Sequence, residues 1–368
     1  MSVQQTAEQA KNRPDAAGAT VPVAAMIALT TDAFVACGSP PADAAIVAER
    51  MIEADLTGVD THGIMRLPQY VVYLQKGNIN PRPDIRIAQR GPATAVVDGD
   101  NGMGHLVMSF AARTAVEMAR ESGVAWVGSR RSNHAGAGGV YAAIPLAHDM
   151  IGLYGAASSA NHMALWGGAE PLLGTNPIAC AIPAGKEAPV VVDVATSVSS
   201  FGLIRKYALE GKPLPEGWVV DRTDGKPITD AKRAGEGVLL PIGGHKGSGI
   251  ALIIGLLSGV LNGAAFGRDI RDFSAQSANE TNTGQFIVAL DVARFLPIEI
   301  FKAEVDRHIR DFLASDTLPG VEAVRIPGTE RRRRKDERSR NGVTLSAALL
   351  KQLDEVAVKL NIAPLRSR

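Results

Sequence analysis

The sequence predicts an α/β or α+β fold in which helical segments at both ends of the chain flank a central region that contains a sheet. Two observations support this prediction. Residues 21–80 and 295–368 carry mostly helical patterns, whereas residues 81–294 alternate helical patterns with short apolar runs typical of strands. We therefore expect a disordered leader over residues 1–20, a mainly helical region at the two ends, and an α/β region between them.

The helical elements are predicted from apolar periodicity, proline and glycine. Helices are expected from Val21 to Gly38, Ser39 to Leu56, Ile64 to Gly77, Gly104 to Ser122, Val140 to His148, Phe201 to Leu209, Lys246 to Leu261, Ile298 to Leu313 and Leu345 to Leu360. The helix from Lys246 is rich in small and apolar residues, so we expect it to be buried. The basic run Arg331–Lys335 is typical of a solvated surface.

Strands are predicted where apolar runs are bounded by turn residues. They are expected at Ile85–Ala88, Thr94–Asp98, Val124–Gly128, Ile151–Ala156, Ile178–Ile182, Val190–Val194, Val238–Leu240 and Gln285–Asp291. The first two flank the turn at Gly91-Pro92, as a hairpin would.

Composition excludes several classes of protein. Among 368 residues, 39 Lys and Arg balance 38 Asp and Glu, which argues against a dedicated nucleic-acid binder. The longest apolar run, residues 250–260, is too short to span a bilayer. Residues 1–20 lack the apolar segment of a signal peptide, and Cys37 and Cys180 fit reduced thiols. We expect a cytoplasmic protein with no metal site, no nucleic-acid partner and no membrane partner.

A first cluster of chemically active side chains lies in residues 60–67, DTHGIMRL. His62 is suited to proton transfer near neutral pH, and Arg66 can hold a carboxylate with two parallel hydrogen bonds. If both lie on one helix, positions i and i+4 share a face. The pattern predicts proton transfer on a small acid anchored by its carboxylate. A histidine that caps a helix and an arginine exposed to solvent would produce the same sequence pattern.

A second cluster follows the strand at Val124. Residues 124–139, VAWVGSRRSNHAGAGG, place Asn133 and His134 in a turn before a glycine-rich helix start. Active-site residues favour such strand-to-helix junctions. The segment lacks the G-x-G-x-x-G spacing of a Rossmann fingerprint, and the glycine-rich residues 243–249 lack the order of a P-loop.

Several motifs in fixed order make the chain resemble a known family. GVDTHGIMRLPQYV, SNHAG, GGAEPLLGTNPIA, VVDVATS, LPEGWVVD, LLPIGGHKGSG and RIPGTE resemble the malate/L-lactate dehydrogenase family, whose members lack a Rossmann fold. The resemblance runs from about Val21 to the C-terminus. It implies an oxidoreductase that uses NAD or NADP to interconvert a 2-hydroxy acid and a 2-oxo acid, or to reduce a cyclic imine acid. It also implies a homodimer with its active site near the subunit interface, a helical substrate and dimerisation region, and a cofactor-binding sheet region.

The same resemblance assigns substrate-side roles. Arg66 matches the residue that binds the carboxylate, Tyr70 would line the same pocket, and Thr61 replaces a Ser found before the His in some relatives. His134 matches a proton acceptor of several members. We favour His134 as the proton carrier, with His62 polarising the substrate oxygen, although both lie in family motifs and the sequence does not choose between them.

Cofactor contacts are implied at four places by the resemblance: Ser158, the segment Val192-Asp193-Val194, Lys246, and the turn Pro327-Gly328-Thr329. Thr329 departs from the Glu that many relatives carry there. Two other classes of function remain as alternatives: a cofactor-free lyase or isomerase acting α to a carboxylate, and a non-catalytic binding protein with the family fold.

Overall fold

A computed structural model describes residues 18–273 and 280–368. Most of the predicted leader, residues 1–17, therefore lies outside the described residues. The end of that leader was wrongly placed, because Ala19–Val21 forms strand β1 and pairs antiparallel with β11, Val343–Leu345. This ladder satisfies backbone groups of the segment, so the ordered chain begins before residue 21.

Ten α-helices lie in the described ranges. They are α1 (Val23–Ala36), α2 (Pro41–Leu56), α3 (Leu67–Gln75), α4 (Gly104–Ser122), α5 (Gly138–Ala142), α6 (Phe201–Glu210), α7 (His245–Ser258), α8 (Ile298–Leu313), α9 (Thr329–Asn341) and α10 (Ala347–Lys359). Every helix predicted from periodicity has a counterpart, and α9 is an additional one.

In the described ranges, eight of the nine remaining strands overlap the predicted ones, and the strand Val219–Asp221 was not predicted. They are β2 (Arg86–Arg90), β3 (Thr94–Asp98), β4 (Val124–Ser132), β5 (Met150–Ala156), β6 (Ile178–Ile182), β7 (Val190–Val194), β8 (Val219–Asp221), β9 (Gly237–Leu239) and β10 (Thr283–Asp291). β8 and β9 form a separate antiparallel pair.

The chain divides into two compact units. The first comprises Met1–Val72 and Arg333–Arg368, and the second comprises Tyr73–Arg332. These boundaries differ from the predicted ones, since α8 was assigned to the terminal helical region but belongs to the second unit. The reason is a buried carboxylate: Asp306 of α8 accepts hydrogen bonds of 2.7–3.2 Å from three backbone N–H groups in the turn after β6, residues 185–187.

The first unit has a helical core. α1 packs against α2 and α10, and buries Met26, Leu29 and Phe34. α2 begins with Pro41, whose fixed φ suits the first helical position and whose missing N–H is not needed there. The helix ends at Leu56, and the chain then enters the segment that carries His62 and Arg66.

The second unit is built on a seven-stranded sheet with the order β2-β3-β4-β10-β5-β6-β7. Only β3 and β4 run parallel, and α4 supplies the crossover that a parallel pair needs. The other neighbours pair antiparallel. The sheet is therefore mixed, which agrees with the predicted α/β or α+β class.

The two faces of this sheet are covered by different elements. Val127 of β4 and Ile287 of β10 share one buried core with α4. On the opposite face, Gly128 lies against the side chain of Asn262, a residue in the turn just after the end of α7. Because successive strand residues point to opposite faces, the alternation of these residues fixes the two layers.

Two helix predictions need correction. The expected helix Val140–His148 is broken: α5 ends at Ala142, and Ile144–His148 forms a 3₁₀ turn, since Pro145 disfavours α geometry at the residue before it. The helix from Lys246 was expected to be buried, but Ile250 and Ile253 are about half exposed (45% and 55%).

Candidate functional site

The segment with His62 and Arg66 does not form the single helix that the i, i+4 argument required. Residues Asp60–His62 and Ile64–Arg66 form two successive 3₁₀ turns, with Gly63 between them at φ −92° and ψ −147°. α3 begins only at Leu67. The extended backbone at Gly63 interrupts the helix, so the predicted placement on one helical face is wrong.

A buried carboxylate holds this segment from below. Asp55 of α2 is 2% exposed, and its Oδ2 accepts a hydrogen bond of 2.8 Å from the backbone N–H of Ile64. Burial raises the pKa of Asp55 to about 8, and the bond from Ile64 opposes that rise. The carboxylate of Asp60 pairs with Arg338 of α9. Asp55 is the side chain that anchors the Ile64 backbone.

Thr61, His62 and Arg66 of the first unit are linked to one another by hydrogen bonds. The Thr61 hydroxyl lies 3.0 Å from His62 Nδ1. Arg66 donates from Nε to the Thr61 carbonyl at 2.8 Å and from Nη1 to Gln69 Oε1 at 3.0 Å. These bonds fix the guanidinium while leaving other N–H groups for a carboxylate. Tyr70 follows in α3 and is fully buried.

His134 lies directly after β4, in a loop fixed by Asn133. The Asn133 side chain is 1% exposed and donates to the Asn101 carbonyl at 3.1 Å, while its Oδ1 accepts from the Thr281 hydroxyl at 2.9 Å. His134 is half-buried, and its ring stacks on Phe273 with centroids 5.5 Å apart and planes 18° apart. The imidazole therefore sits on a rigid strand end against an aromatic wall.

Ser158 is connected to the loop that precedes β6. Its backbone N–H donates to Asn176 Oδ1 at 3.0 Å, and its hydroxyl lies 3.0 Å from the Thr175 hydroxyl. Thr196, just after β7, donates to the Thr175 carbonyl from both its N–H and its hydroxyl, at 2.9 Å each. These bonds bring the Ser158 loop to the end of the strand that carries Val192–Val194.

Asp193 of β7 is already paired within the chain. Its Oδ2 accepts from the Gly139 N–H at 2.9 Å and from Arg331 Nη1 at 3.3 Å. Burial chiefly, together with the Asp193 charge, raises the pKa of the Tyr154 hydroxyl. Arg331 belongs to the run expected to be solvated, yet its side chain is only 20% exposed, so the surface prediction is wrong for this residue.

The turn Pro327-Gly328-Thr329 docks on the same edge strand. The Pro327 carbonyl accepts from the Val191 N–H at 3.1 Å. Gly328 has φ +103°, and a Cβ there would lie 2.5 Å from the Pro189 carbonyl oxygen, so both conformation and contact require glycine. Two of the four predicted cofactor segments are thus adjacent, and Thr329 begins α9.

Lys246 lies in the first turn of α7 and is exposed. The preceding residues Gly243 and Gly244 have φ of +59° and +66°, which turns the chain sharply into the helix. The N-terminus of a 14-residue helix presents backbone N–H groups and a partial positive charge to an anion. Lys246 adds a full positive charge to this helix start.

All the residues predicted to contact the cofactor lie in the second unit, as does His134, the predicted proton carrier. The N–H of Phe273, which stacks on His134, donates to the carbonyl of Ser159 at 2.8 Å, next to Ser158. His62, Arg66, Thr61 and Tyr70 belong to the first unit.

Sequence reasoning missed four residues that organise these segments: Asp55, Asn176, Phe273 and Arg331. A signal existed only for Asn176, which precedes Pro177 and interrupts a glycine-rich loop. The others depend on contacts across more than eight residues of sequence, which no local pattern reveals. The His162 ring stacks on Phe201, with ring centroids 4.2 Å apart, and burial lowers the pKa of this histidine.

Within residues 18–273 and 280–368, no group of three or more His, Cys, Asp or Glu residues is arranged to hold a metal ion. In the same ranges, no helix combines the length and the hydropathy that a membrane span requires.

Comparisons with known proteins agree on one family. A sequence model described as malate/L-lactate dehydrogenase matches residues 21–354. L-sulfolactate dehydrogenase of Methanocaldococcus jannaschii is 38% identical over 334 residues, 91% of this chain and 95% of that protein. Malate dehydrogenase of Pyrococcus horikoshii is 35% identical over 333 residues, 88% of this chain and 91% of that protein.

Solved structures show the same fold. A sulfolactate dehydrogenase structure from Methanocaldococcus jannaschii superposes with a TM-score of 0.86 at 37% identity, covering 95% of this chain and 99% of that one. A Δ1-piperideine-2-carboxylate reductase from Pseudomonas syringae superposes with a TM-score of 0.82 at 30% identity, covering 92% of this chain and 100% of that one.

Proposed function

Because the chain belongs to the malate/L-lactate dehydrogenase family, a family of oxidoreductases, we propose that it interconverts a small 2-hydroxy acid and its 2-oxo acid with NAD or NADP. The observation that carries the proposal is the convergence of Ser158, the 192–194 strand and the 327–329 turn in one hydrogen-bonded region. Relatives named for malate and sulfolactate support a substrate that bears a carboxylate beside the reacting carbon.

The residues present fit a nicotinamide dinucleotide. The Gly243-Gly244 turn and the first turn of α7 offer backbone N–H groups and Lys246 to the pyrophosphate. Ser158 and the 192–194 and 327–329 segments supply hydroxyl and backbone groups for the remaining polar edges. When bound, the nicotinamide supplies the two-electron transfer to or from the substrate carbon.

The chain's own residues bind and polarise the substrate. We assign Arg66 to the substrate carboxylate, because a guanidinium held by Thr61 and Gln69 is oriented before the ligand arrives. Tyr70 and Thr61 belong to the same segment and help define its shape.

We assign proton transfer to His134, with His62 polarising the substrate oxygen. In oxidation the neutral imidazole of His134 takes the hydroxyl proton, and in reduction the imidazolium returns it. Such transfer contributes about 10²–10⁴ to the rate. The stacking of His134 on Phe273 supports this choice, since it holds the ring in one plane.

A spectrophotometric panel tests the proposal. Reduced NAD and NADP are each paired with the 2-oxo acids that correspond to malate, lactate, sulfolactate and ureidoglycolate, and with diketogulonate itself, and the nicotinamide absorbance is followed. We expect turnover with at least one pair. If neither cofactor binds in a fluorescence titration, the dehydrogenase assignment fails and a cofactor-free lyase or isomerase takes its place.

Reduction of a cyclic imine acid is the second candidate. The structural similarity to a piperideine-2-carboxylate reductase favours it. The same panel includes piperideine-2-carboxylate with NADPH, and turnover there with none on the 2-oxo acids would select this alternative.

We also propose a homodimer that works in the cytoplasm. The exposed apolar side chains of α7 support the first part, because a helix with apolar residues on most sides is normally covered. The two unpaired cysteines support the second, because free thiols persist in a reducing compartment.

A further inference from the structure

Asn176 occupies an unusual position between the candidate cofactor segments. It is 1% exposed and has φ +23°, a conformation that few residues other than glycine, asparagine and aspartate adopt readily. Such a residue persists where the surrounding structure requires it. The hydrogen bonds of the buried Asn176 side chain to backbone groups explain why this residue is held in that conformation.

The Asn176 amide makes one bond on each side. Oδ1 accepts from the Ser158 N–H at 3.0 Å, and Nδ2 donates to the Ala251 carbonyl of α7 at 2.8 Å. Since an N–H only donates and a carbonyl only accepts, the orientation of the amide is determined. The side chain therefore bridges the Ser158 loop and the helix that begins beside Lys246.

The approach of α7 to Asn176 is close. A Cβ at Gly255 would lie 2.9 Å from Asn176 Nδ2 and 2.2 Å from the Phe266 ring, so glycine at this position lets the helix come within reach. Beyond this contact, Asn262 donates hydrogen bonds to the carbonyl of Ser258 at the end of α7 and to the carbonyl of Gln285 in β10. The bridge thus sets the separation between two elements that carry cofactor candidates.

We propose that Asn176 is a positioning residue for the nicotinamide cofactor, holding the Ser158 loop and the α7 N-terminus at the separation that the dinucleotide requires. This rests on the proposed function. Asn176 touches neither substrate nor cofactor in this role; it acts through Ser158 and through α7.

Asn176→Asp tests the bridge with almost no change in shape. Aspartate tolerates the same backbone conformation and still accepts from Ser158, but it places an oxygen against the Ala251 carbonyl. Losing a buried donor is costly, so we expect binding of reduced cofactor in a fluorescence titration to weaken at least about fivefold. The KM for the acid, measured at saturating cofactor, stays within about twofold of the wild-type value.

Asn262→Asp is the matched control. Asn262 is 4% exposed, and its Nδ2 donates to the carbonyls of Ser258 and Gln285 at 2.7 and 3.1 Å, so the same isosteric change removes comparable buried bonds. We expect cofactor binding within about twofold of wild type. Wild-type cofactor affinity in Asn176→Asp, or an equal loss in Asn262→Asp, overturns the proposal.

A second measurement does not depend on catalysis or on a bound ligand. Asn176→Gly keeps the backbone conformation but removes both bonds, so hydrogen exchange at the Ser158 amide should be faster than in wild type or in Asn176→Asp. Unchanged exchange overturns the bridge even if the enzyme is active. If wild type binds neither cofactor, the proposed function fails, whereas accelerated exchange in Asn176→Gly still supports the bridge between the two elements.

Discussion

Arg66 donates one hydrogen bond to the carbonyl of Thr61 and another to Gln69, and both bonds keep its guanidinium in place. The arrangement differs from the helical face that the sequence predicted, but it also holds the guanidinium in one orientation, as the proposed carboxylate contact requires. A preordered guanidinium loses less entropy when a carboxylate binds.

Arg66→Lys should weaken substrate binding selectively. Lysine keeps the charge but cannot make two parallel bonds, and bonds to charged groups contribute about 1.5–3 kcal/mol each, so we expect the KM for the acid to rise about 10- to 100-fold. Steady-state kinetics at saturating cofactor measure it. The exposed Arg86→Lys should leave the KM unchanged, and an unaltered KM in Arg66→Lys would remove Arg66 from the carboxylate site.

His134→Asn and His62→Asn separate the two histidine roles. If His134 carries the proton, its variant loses about 10²–10⁴ in kcat while cofactor binding is retained. His62→Asn should mainly raise the KM for the acid. Rate measurements combined with cofactor titration check both, and the reverse pattern would assign the proton to His62.

At the scale of elements, the 3₁₀ turns that carry His62 and Arg66 depend on α2 beneath them. Asp55 projects from α2 to the Ile64 N–H, and Gly63 lies directly on its carboxylate. The φ of Gly63, −92°, is open to any residue, so backbone conformation does not require glycine here. The close contact with the Asp55 carboxylate does require it.

Gly63→Ala should therefore destabilise the protein through one contact. A Cβ at this position would lie 1.9 Å from Asp55 Oδ1, and relieving such overlap costs about 1–3 kcal/mol. Chemical denaturation measures the loss. Gly202→Ala in α6, where the nearest atom would be 3.9 Å away, should stay within about 1 kcal/mol of wild type. Equal stability of the two variants would contradict the contact argument.

Asp55 also predicts how stability depends on pH. Its pKa is about 8 in the folded protein and about 3.9 in an unfolded chain, so the folded state holds an extra proton between these values. The stability contributed by this group is complete below about pH 4 and declines as the pH rises towards about 8.

Asp55→Asn abolishes this titration while keeping an acceptor for Ile64. We expect the free energy of unfolding of the variant, relative to wild type, to rise by at least about 1 kcal/mol between pH 5 and pH 8. Urea denaturation at a series of pH values measures it. A difference that stays constant across that range would show that Asp55 is ionised in the folded protein.

The exposed apolar residues in and after α7 are the main structural support for the proposed homodimer. Ile253 is 55% exposed, and Val260 and Leu261 beyond the helix are 57% and 60% exposed. Because these residues are apolar, the sequence predicted a buried helix. An apolar pattern does not distinguish burial within one chain from burial against a second copy of the chain.

Sedimentation velocity should therefore give a species of about twice 38.6 kDa. Ile253→Asp places a charge on the exposed apolar side of α7 and should shift the protein to the monomer, because burying an unpaired charge is costly. Leu209→Asp, at an isolated side chain that is 89% exposed on α6, should leave the dimer intact. A monomeric wild type would overturn the proposed homodimer.

The sequence determined the class of fold and the limits of most elements, because these follow from local periodicity: α4, α8, β3, β6 and β7 begin and end where their patterns predict. It also determined the family, because several motifs occur in fixed order. Tertiary structure alone decided which distant residues meet. The Asp55 anchor, the Arg331 pair with Asp193 and the Asn176 bridge join residues 9 to 138 positions apart, and only the folded backbone brings their donors and acceptors within hydrogen-bonding distance.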